Sequence, residues 1–314
     1  MLIANPIYDA VFKYMMNDNK VAKLLLSAII GEEILELEFR ATVHSVPLKE
    51  AITVLRMDFN ALVKYGDGTK QLIIIEIQKA KLHTDIMRFR RYLGQQYINP
   101  ENATEIEANE QVIRKKAFPI LSIYFLGHPL DYHQNIPILR IARRYVDVST
   151  GEVLEQKEEF VESLTHDSII IQIRALTGKR RTELEQLLSI FDQANREQDF
   201  HILNIKEEDF HKRYRPVVRR LIKAVASSEL REQMHVEDDI IEEMQNYARV
   251  IDQKNQQLEE KAQELQKKDN ELQKKDSTIE LAVRQFAKNN FSVAQISEML
   301  DIPTAKVEAI LANL

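Results

Sequence analysis

Between Ala51 and Gln78 the chain can do little but fold back on itself. Thr53, Leu55, Met57, Phe59, Ala61 and Val63 recur at every second position, the period of a strand with one apolar face. Tyr65-Gly66-Asp67-Gly68-Thr69 follows, a run in which glycine supplies the positive φ of a tight turn. Leu72 to Gln78 then gives a second strand, and the two form a hairpin. If the hairpin is symmetric about Asp67, opposed residue numbers sum to 134, which pairs Asp58 with Glu76 and Arg56 with Gln78.

The flanking sequence builds a mixed α/β sheet domain around this hairpin, over residues 1–180. Ile7, Val11, Phe12, Met15, Met16, Val21, Leu24, Leu25 and Ile29 recur at spacings of three and four, which predicts a helix over 6–30 ended by Gly31. A second helix is expected from Leu82 to Tyr97, and strands at Phe118–Leu126, Ile138–Val146 and Ser168–Leu176. From Thr182 onward everything reads helical: an extension over 181–230, then a long polar helix over 231–280. There Ile251, Leu258, Leu265, Leu272 and Ile279 fall every seven residues, a heptad register. The second seam position carries Asn255, Ala262, Asp269 and Asp276, so the stripe has half width and the expected coiled coil, a homodimer contact, is weak. A solitary solvated helix is the alternative. Residues 281–314 read as a small helical unit, with Ser292 and Gln295 spaced as a capping box and Pro303 at the start of a further helix.

Charge divides along the same line. Of 43 Lys and Arg and 49 Asp and Glu, residues 231–314 hold 11 and 17, so the first 230 residues balance at 32 of each and the tail carries the whole net charge of -6. With no cysteine there is no disulfide, thiol nucleophile or thiolate metal site, and any metal would be held by oxygen. Seven glycines, with no GxGxxG or GxxxxGK[ST] string, speak against a glycine-rich phosphate cradle. No apolar run approaches the roughly 20 residues of a membrane helix, the start lacks a secretory pattern, and the cytoplasm is the default location.

The hairpin pairing has a chemical consequence. Directly opposed side chains have Cβ atoms about 4.5–5.5 Å apart, and two carboxylates at that separation repel unless a positive charge lies between them. A hard divalent cation with oxygen preference suits that place. Arg56, Asp58, Asn60, Glu76 and Gln78 thus make a polar cluster on one sheet face, with Met57, Phe59, Ile75 and Ile77 on the other. The bland alternative is a two-sided hairpin whose polar face is solvated, Arg56 neutralising the acids.

Asp58, an 18-residue gap, Glu76-Ile77-Gln78, and a preceding helix with Asp9-x-x-Phe12-Lys13 together resemble the PD-(D/E)XK nuclease superfamily. More narrowly, the chain is similar to the recombination-promoting nuclease and PD-(D/E)XK transposase group, in which Glu-x-Gln stands in place of Glu-x-Lys. Arg88-x-x-x-Tyr92 and the layout of core followed by helical tail are similar as well. The resemblance covers about residues 5–180, and it implies a restriction-endonuclease-like core that hydrolyses DNA phosphodiester bonds with Mg²⁺ or Mn²⁺, in the service of recombination or a mobile element. It also implies that Asp58, Glu76 and the Ile77 carbonyl hold the ion and that Gln78 stands at the catalytic lysine position, so that either the metal does more of the work or Lys13 or Arg56 supplies the missing charge. An amide can hydrogen-bond but carries no charge, which keeps a rival open: a non-catalytic DNA-binding or scaffold protein on a degenerate nuclease core.

Three further features have two readings each. Asp9 and Lys13 at i and i+4 also make an ordinary helix-surface ion pair. Residues 210–228 hold Lys212, Arg213, Arg215, Arg219, Arg220 and Lys223 without an acid, a patch suited to DNA phosphate, as Arg88 and Tyr92 are, or to the acidic stretch Glu237–Glu243. The segment Ser292–Leu311 superficially resembles a helix-turn-helix, but residues 280–314 carry three basic against four acidic residues, which favours packing or protein docking over base reading.

Overall fold

The computed structural model describes residues 1–40, 58–78, 90, 93–109 and 112–312. The chain divides into two compact units, Met1–Met244 and Gln245–Leu314.

The first unit is mixed α/β. Its centre is a six-stranded sheet whose strands are β2 (Ile34–Arg40), β3 (Asp58–Tyr65), β4 (Lys70–Gln78), β7 (Ile120–Leu126), β11 (Asp167–Gln172) and β8 (Ile138–Ile141), in that spatial order. β3 pairs antiparallel with both β2 and β4, β4 and β11 pair parallel with β7, and β8 closes the far edge antiparallel to β11. Leu72, Ile73, Ile74 and Ile75 in β4 are all buried, the continuous apolar pattern of a strand covered on both faces. β5 (Ala103–Asn109) and β6 (Val112–Ala117) form a separate hairpin before β7.

Two helices cover one sheet face, where the sequence predicts a single helix over 6–30. They are α1 (Asp9–Met16) and α2 (Asn19–Ile30), and the break comes at Asp18, whose carboxylate accepts the backbone N–H groups of Lys20 and Val21. A side chain that caps the second helix competes with continuing the first. Gly31, at φ 85°, ends α2 as expected. Val11, Phe12, Met15, Leu25 and Leu26 pack with Phe59, Ala61, Val63, Ile73, Ile75, Ile123 and Phe125 in one core. The opposite face carries a smaller cluster of Leu72, Ile74, Ile120 and Leu93, the last from the helical residues 93–98.

Several expected elements are shorter or broken. The span Ile138–Val146 is two pieces, β8 and β9 (Tyr145–Val146), the latter pairing with β10 (Val153–Leu154). β11 gives way to a 3-10 helix, Ile173–Leu176, where the sequence predicts strand. The stretch after Thr182 is not uniformly helical. It holds α4 (Glu183–Leu188) and then β12 (Ile202–Asn204), which pairs with β1 (Leu2–Ala4); α3 (Glu159–Leu164) lies before it. Asn5 and Gln193 exchange side-chain hydrogen bonds at 2.9 and 3.0 Å. Val217, Val218 and Leu221 of α5 (Arg215–Val225) belong to the main core. Residues 181–230 are therefore part of the core unit and not an appended extension.

A single helix, α6, runs from Ser228 to Lys288. Leu230 and Met234 at its start are buried in the main core, so the first unit continues past the boundary expected at Arg231. In the second unit, α7 (Val293–Leu300) and α8 (Thr304–Ala312) fold against the end of α6, with Val283, Ile296 and Val307 at the centre. The Ser292–Gln295 capping box forms as the sequence predicts. No helix among the described residues is long and apolar enough to cross a membrane.

Candidate functional site

The turn sets the site. Asp67 accepts from the Thr69 backbone N–H at 2.9 Å and from its hydroxyl at 2.6 Å, and these bonds hold the Asp67 carboxyl below its ordinary range. Tyr65 and Thr69 close the loop with a 3.0 Å backbone bond, and Gly68 at φ 85° takes the left-handed position. This fixes the register at a sum of 134: Asp58 stands opposite Glu76, Asn60 opposite Ile74 and Leu62 opposite Leu72.

The row continues across the sheet. Glu76 is paired in register with Tyr124 of β7, and Ile74 with Ser122, so Asp58, Glu76 and Tyr124 follow one another over three strands, with Asn60 one pleat nearer the turn. Glu76 and Asn60 are only 5% and 4% exposed. The bland reading of a solvated polar face therefore does not hold for these two residues. Burial pushes the Tyr124 phenol well above its ordinary value; the Ser122 hydrogen bond works against that shift and the Glu76 carboxylate adds to it. Asn60 Oδ1 is buried and has no hydrogen-bond partner.

The remaining sequence candidates are placed elsewhere. Lys13 Nζ donates to Asp9 at 2.9 Å, the helix-surface pair. It stands on α1, whose Phe12 meets Phe125 edge-on at 5.7 Å, on the sheet face opposite to Glu76. Its ammonium is bound to Asp9. Arg56, Arg88 and Tyr92 lie outside the described residues; for Gln78 and Ile77 the register places the backbone opposite Leu126 and Phe125 of β7.

The basic stretch is largely tied into the fold. Arg219 pairs with Glu207 at 3.0 Å and Arg213 with Glu183. Arg220 donates to the Tyr14 carbonyl at 3.0 and 3.1 Å and lies over its ring at 3.7 Å. Tyr14 is in the last turn of α1, where carbonyls lack helical partners, so Arg220 caps one helix from another. Arg215 opens α5, half-buried, with its Nε buried and without a partner. The acids expected to answer this patch go elsewhere: Glu237 accepts the Asp9 backbone N–H at 2.9 Å, and Asp238 accepts the Tyr8 hydroxyl and meets His201 Nε2, both at 2.9 Å.

Sequence reading missed Tyr124 and the isolation of the Asn60 oxygen. Both depend on β4 pairing with β7 some fifty residues later, for which no local signal exists.

Among the described residues no group of three His, Cys, Asp or Glu is placed to hold a metal. What the register gathers is the pair Asp58 and Glu76 with neutral oxygen at Asn60 and along the backbone. That set is all oxygen, and it contains a buried acceptor without a partner, so it fits a hard cation that keeps several of its own waters. No family, no curated protein and no solved structure matches this chain.

Proposed function

We propose that the protein is a metal-dependent DNA endonuclease that acts in recombination or on behalf of a mobile element in the cytoplasm, with the β3–β4 hairpin as its site. The observation that carries this reading is the placing of Asp58 opposite a buried Glu76, with the orphaned Asn60 oxygen beside them. The same face carries the apolar Leu72, Ile74 and Leu93, so the polar groups are gathered at the Asp58–Glu76 end of the hairpin.

In this reading Asp58, Glu76 and the Ile77 carbonyl would hold Mg²⁺ or Mn²⁺, with the Asn60 oxygen available as an acceptor beside them. When bound, the ion supplies charge for the scissile phosphate and lowers the pKa of water. Gln78, beside Glu76, orients the attacking water through its amide without adding charge. The restriction-endonuclease-like assignment of the sheet belongs to the same reading, supported by helix α1 before the hairpin and by the parallel strand β7 that flanks it. The heptads of α6 are taken as the surface that joins two copies.

The test is incubation of supercoiled plasmid with the purified protein, with Mg²⁺, with Mn²⁺ and with chelator. Nicking that needs the metal and is lost in Glu76→Gln supports the proposal. Metal-dependent nicking that survives both Asp58→Ala and Glu76→Gln moves the site elsewhere, and no nicking under any condition favours the DNA-binding or scaffold alternative.

A further inference from the structure

The apolar stripe of α6 is covered along one part of its length and bare along another. From residue 279 on, Ile279, Val283 and Phe286 occupy successive seam positions and pack within the cluster that contains Ile296 of α7 and Val307 of α8. Upstream, Ile251, Leu258, Leu265 and Leu272 occupy the same seam and are each more than half exposed. The chain thus fills the last turns of its own stripe and leaves about three heptads without a partner.

We infer that a second copy of this chain covers residues 251–275, parallel and in register. This rests on reading the heptads as a self-association surface, and the charges beside the stripe decide the direction. One flank is lysine at every step: Lys254, Lys261, Lys268 and Lys275. The other carries Asp252, Glu259, Gln266, Gln273 and Glu280. In a parallel pair a residue of the first flank meets the residue five positions on in the other helix. Lys254 then meets Glu259 of the second copy and Lys275 meets Glu280, while Lys261 and Lys268 meet glutamines. Between the flanks no like charges face each other. An antiparallel pair brings like flanks together: lysine meets lysine along the whole contact, and on the other side Asp252 meets Glu280 while the glutamines fill the middle.

The seam agrees with this direction. Asn255 stands at the position where a polar residue sets register between two parallel strands. Asp269 faces its own equivalent, a like-charge contact that weakens the pair, and the neighbouring Lys268 is held within its own helix by Glu264 at 2.7 Å. Asp276 marks the end: Lys306 of α8 binds it at 2.8 Å, and beyond it α7 and α8 occupy the stripe. The paired segment therefore stops where the chain's own helices begin, and both chains enter it from the same end.

The absence of cysteine makes the test clean. Asn255→Cys and Asp269→Cys are prepared separately in the full chain, with Gln263→Cys on the outer face as control, and oxidised at matched concentrations while sedimentation reports assembly. Parallel, in-register pairing gives disulfide-linked dimers in each seam variant alone and several-fold fewer in the control. Dimers by sedimentation in which neither seam variant links to itself, or in which the two link only when mixed, overturn the orientation alone. Equal linking in the control, or monomers throughout, overturns the pairing surface itself. A charge swap adds a second readout: Lys254→Glu weakens the dimer, and adding Glu259→Lys restores it.

Discussion

Asn60 is an amide whose strand neighbours Phe59, Ala61, Leu62 and Val63 are apolar, and its oxygen is buried without a partner. An unmet buried acceptor costs about 1–3 kcal/mol, so the metal-free protein should gain stability of that order from Asn60→Val. If the oxygen serves the ion's water shell, the same substitution should weaken Mn²⁺ binding by about 10–100-fold. Thermal melts without metal and calorimetric titration with Mn²⁺ measure the two effects; unchanged Mn²⁺ affinity would remove Asn60 from the site. Gln78 gives a second expectation. Gln78→Ala should slow nicking, whereas Gln78→Lys should hold or raise the rate by placing positive charge near the developing phosphorane; a lysine variant as slow as the alanine one would show that the position does not act as a catalytic lysine does. The tyrosines report on burial. Tyr8, Tyr65 and Tyr124 all have phenols pushed above the ordinary 10.0, chiefly by burial, with Asp238 adding to the shift at Tyr8, Glu32 at Tyr65 and Glu76 at Tyr124. A raised pKa in the folded state means stability is intact below about pH 10 and falls as pH rises beyond it. Phenolate absorbance from these three should therefore appear together with loss of helical circular dichroism, and early, independent ionisation of all three would contradict their burial.

Asp18 shows how one side chain divides an element. Its carboxylate caps α2 at 3.1 and 3.2 Å, and Asp18→Ala should cost about 1 kcal/mol, read from the urea midpoint; no loss would mean that packing alone sets the break. The apolar spacing over 6–30 is continuous across this point, so the sequence pattern merges what the cap separates. The hairpin was legible because its register follows from a five-residue turn whose Asp67 and Gly68 leave little freedom, and Asp58 opposite Glu76 came with it. The sheet order was not, because β4 with β7 and β1 with β12 are pairings across about 50 and 200 residues, and nothing local encodes them. The basic stretch 210–228 was legible as charge but not as structure: Glu183 and Glu207, which answer Arg213 and Arg219, come from separate local elements. Along α6 the repeat itself carries an expectation. Asp269 puts a carboxylate at a seam position, so Asp269→Leu should tighten self-association at least several-fold, since burying one leucine yields roughly 1.5–3 kcal/mol. Sedimentation over a dilution series checks it, and an unchanged dimer constant would place Asp269 outside the contact.

The point at which the core unit ends has energetic consequences. Charge composition sets the boundary at Arg231, but fourteen further residues of α6 are bound to the first unit. Leu230 and Met234 are buried in the main core. Glu237 accepts the Asp9 backbone N–H at the start of α1, where the Tyr8 side chain does not cap the helix, so the acid of one helix caps another. Asp238 takes the Tyr8 hydroxyl and meets His201 Nε2, which ties α1, the segment before β12 and α6 at one carboxylate. Losing one buried methionine and three hydrogen bonds to carboxylates amounts to about 6–12 kcal/mol, against a total stability of roughly 5–15 kcal/mol for a folded protein. A chain ending at Met244 should therefore melt close to the full-length protein and keep metal-dependent nicking as a monomer, having lost only the heptads and the terminal helices. A chain ending at Leu230 should fail to fold cooperatively. Alanine replacement of Glu237 and Asp238 together in the full chain should lower Tm while leaving self-association intact, because the heptads begin at Ile251. Equal melting of the two shortened chains would show that residues 231–244 contribute nothing to the core, and would return the boundary to the place where the charge shifts.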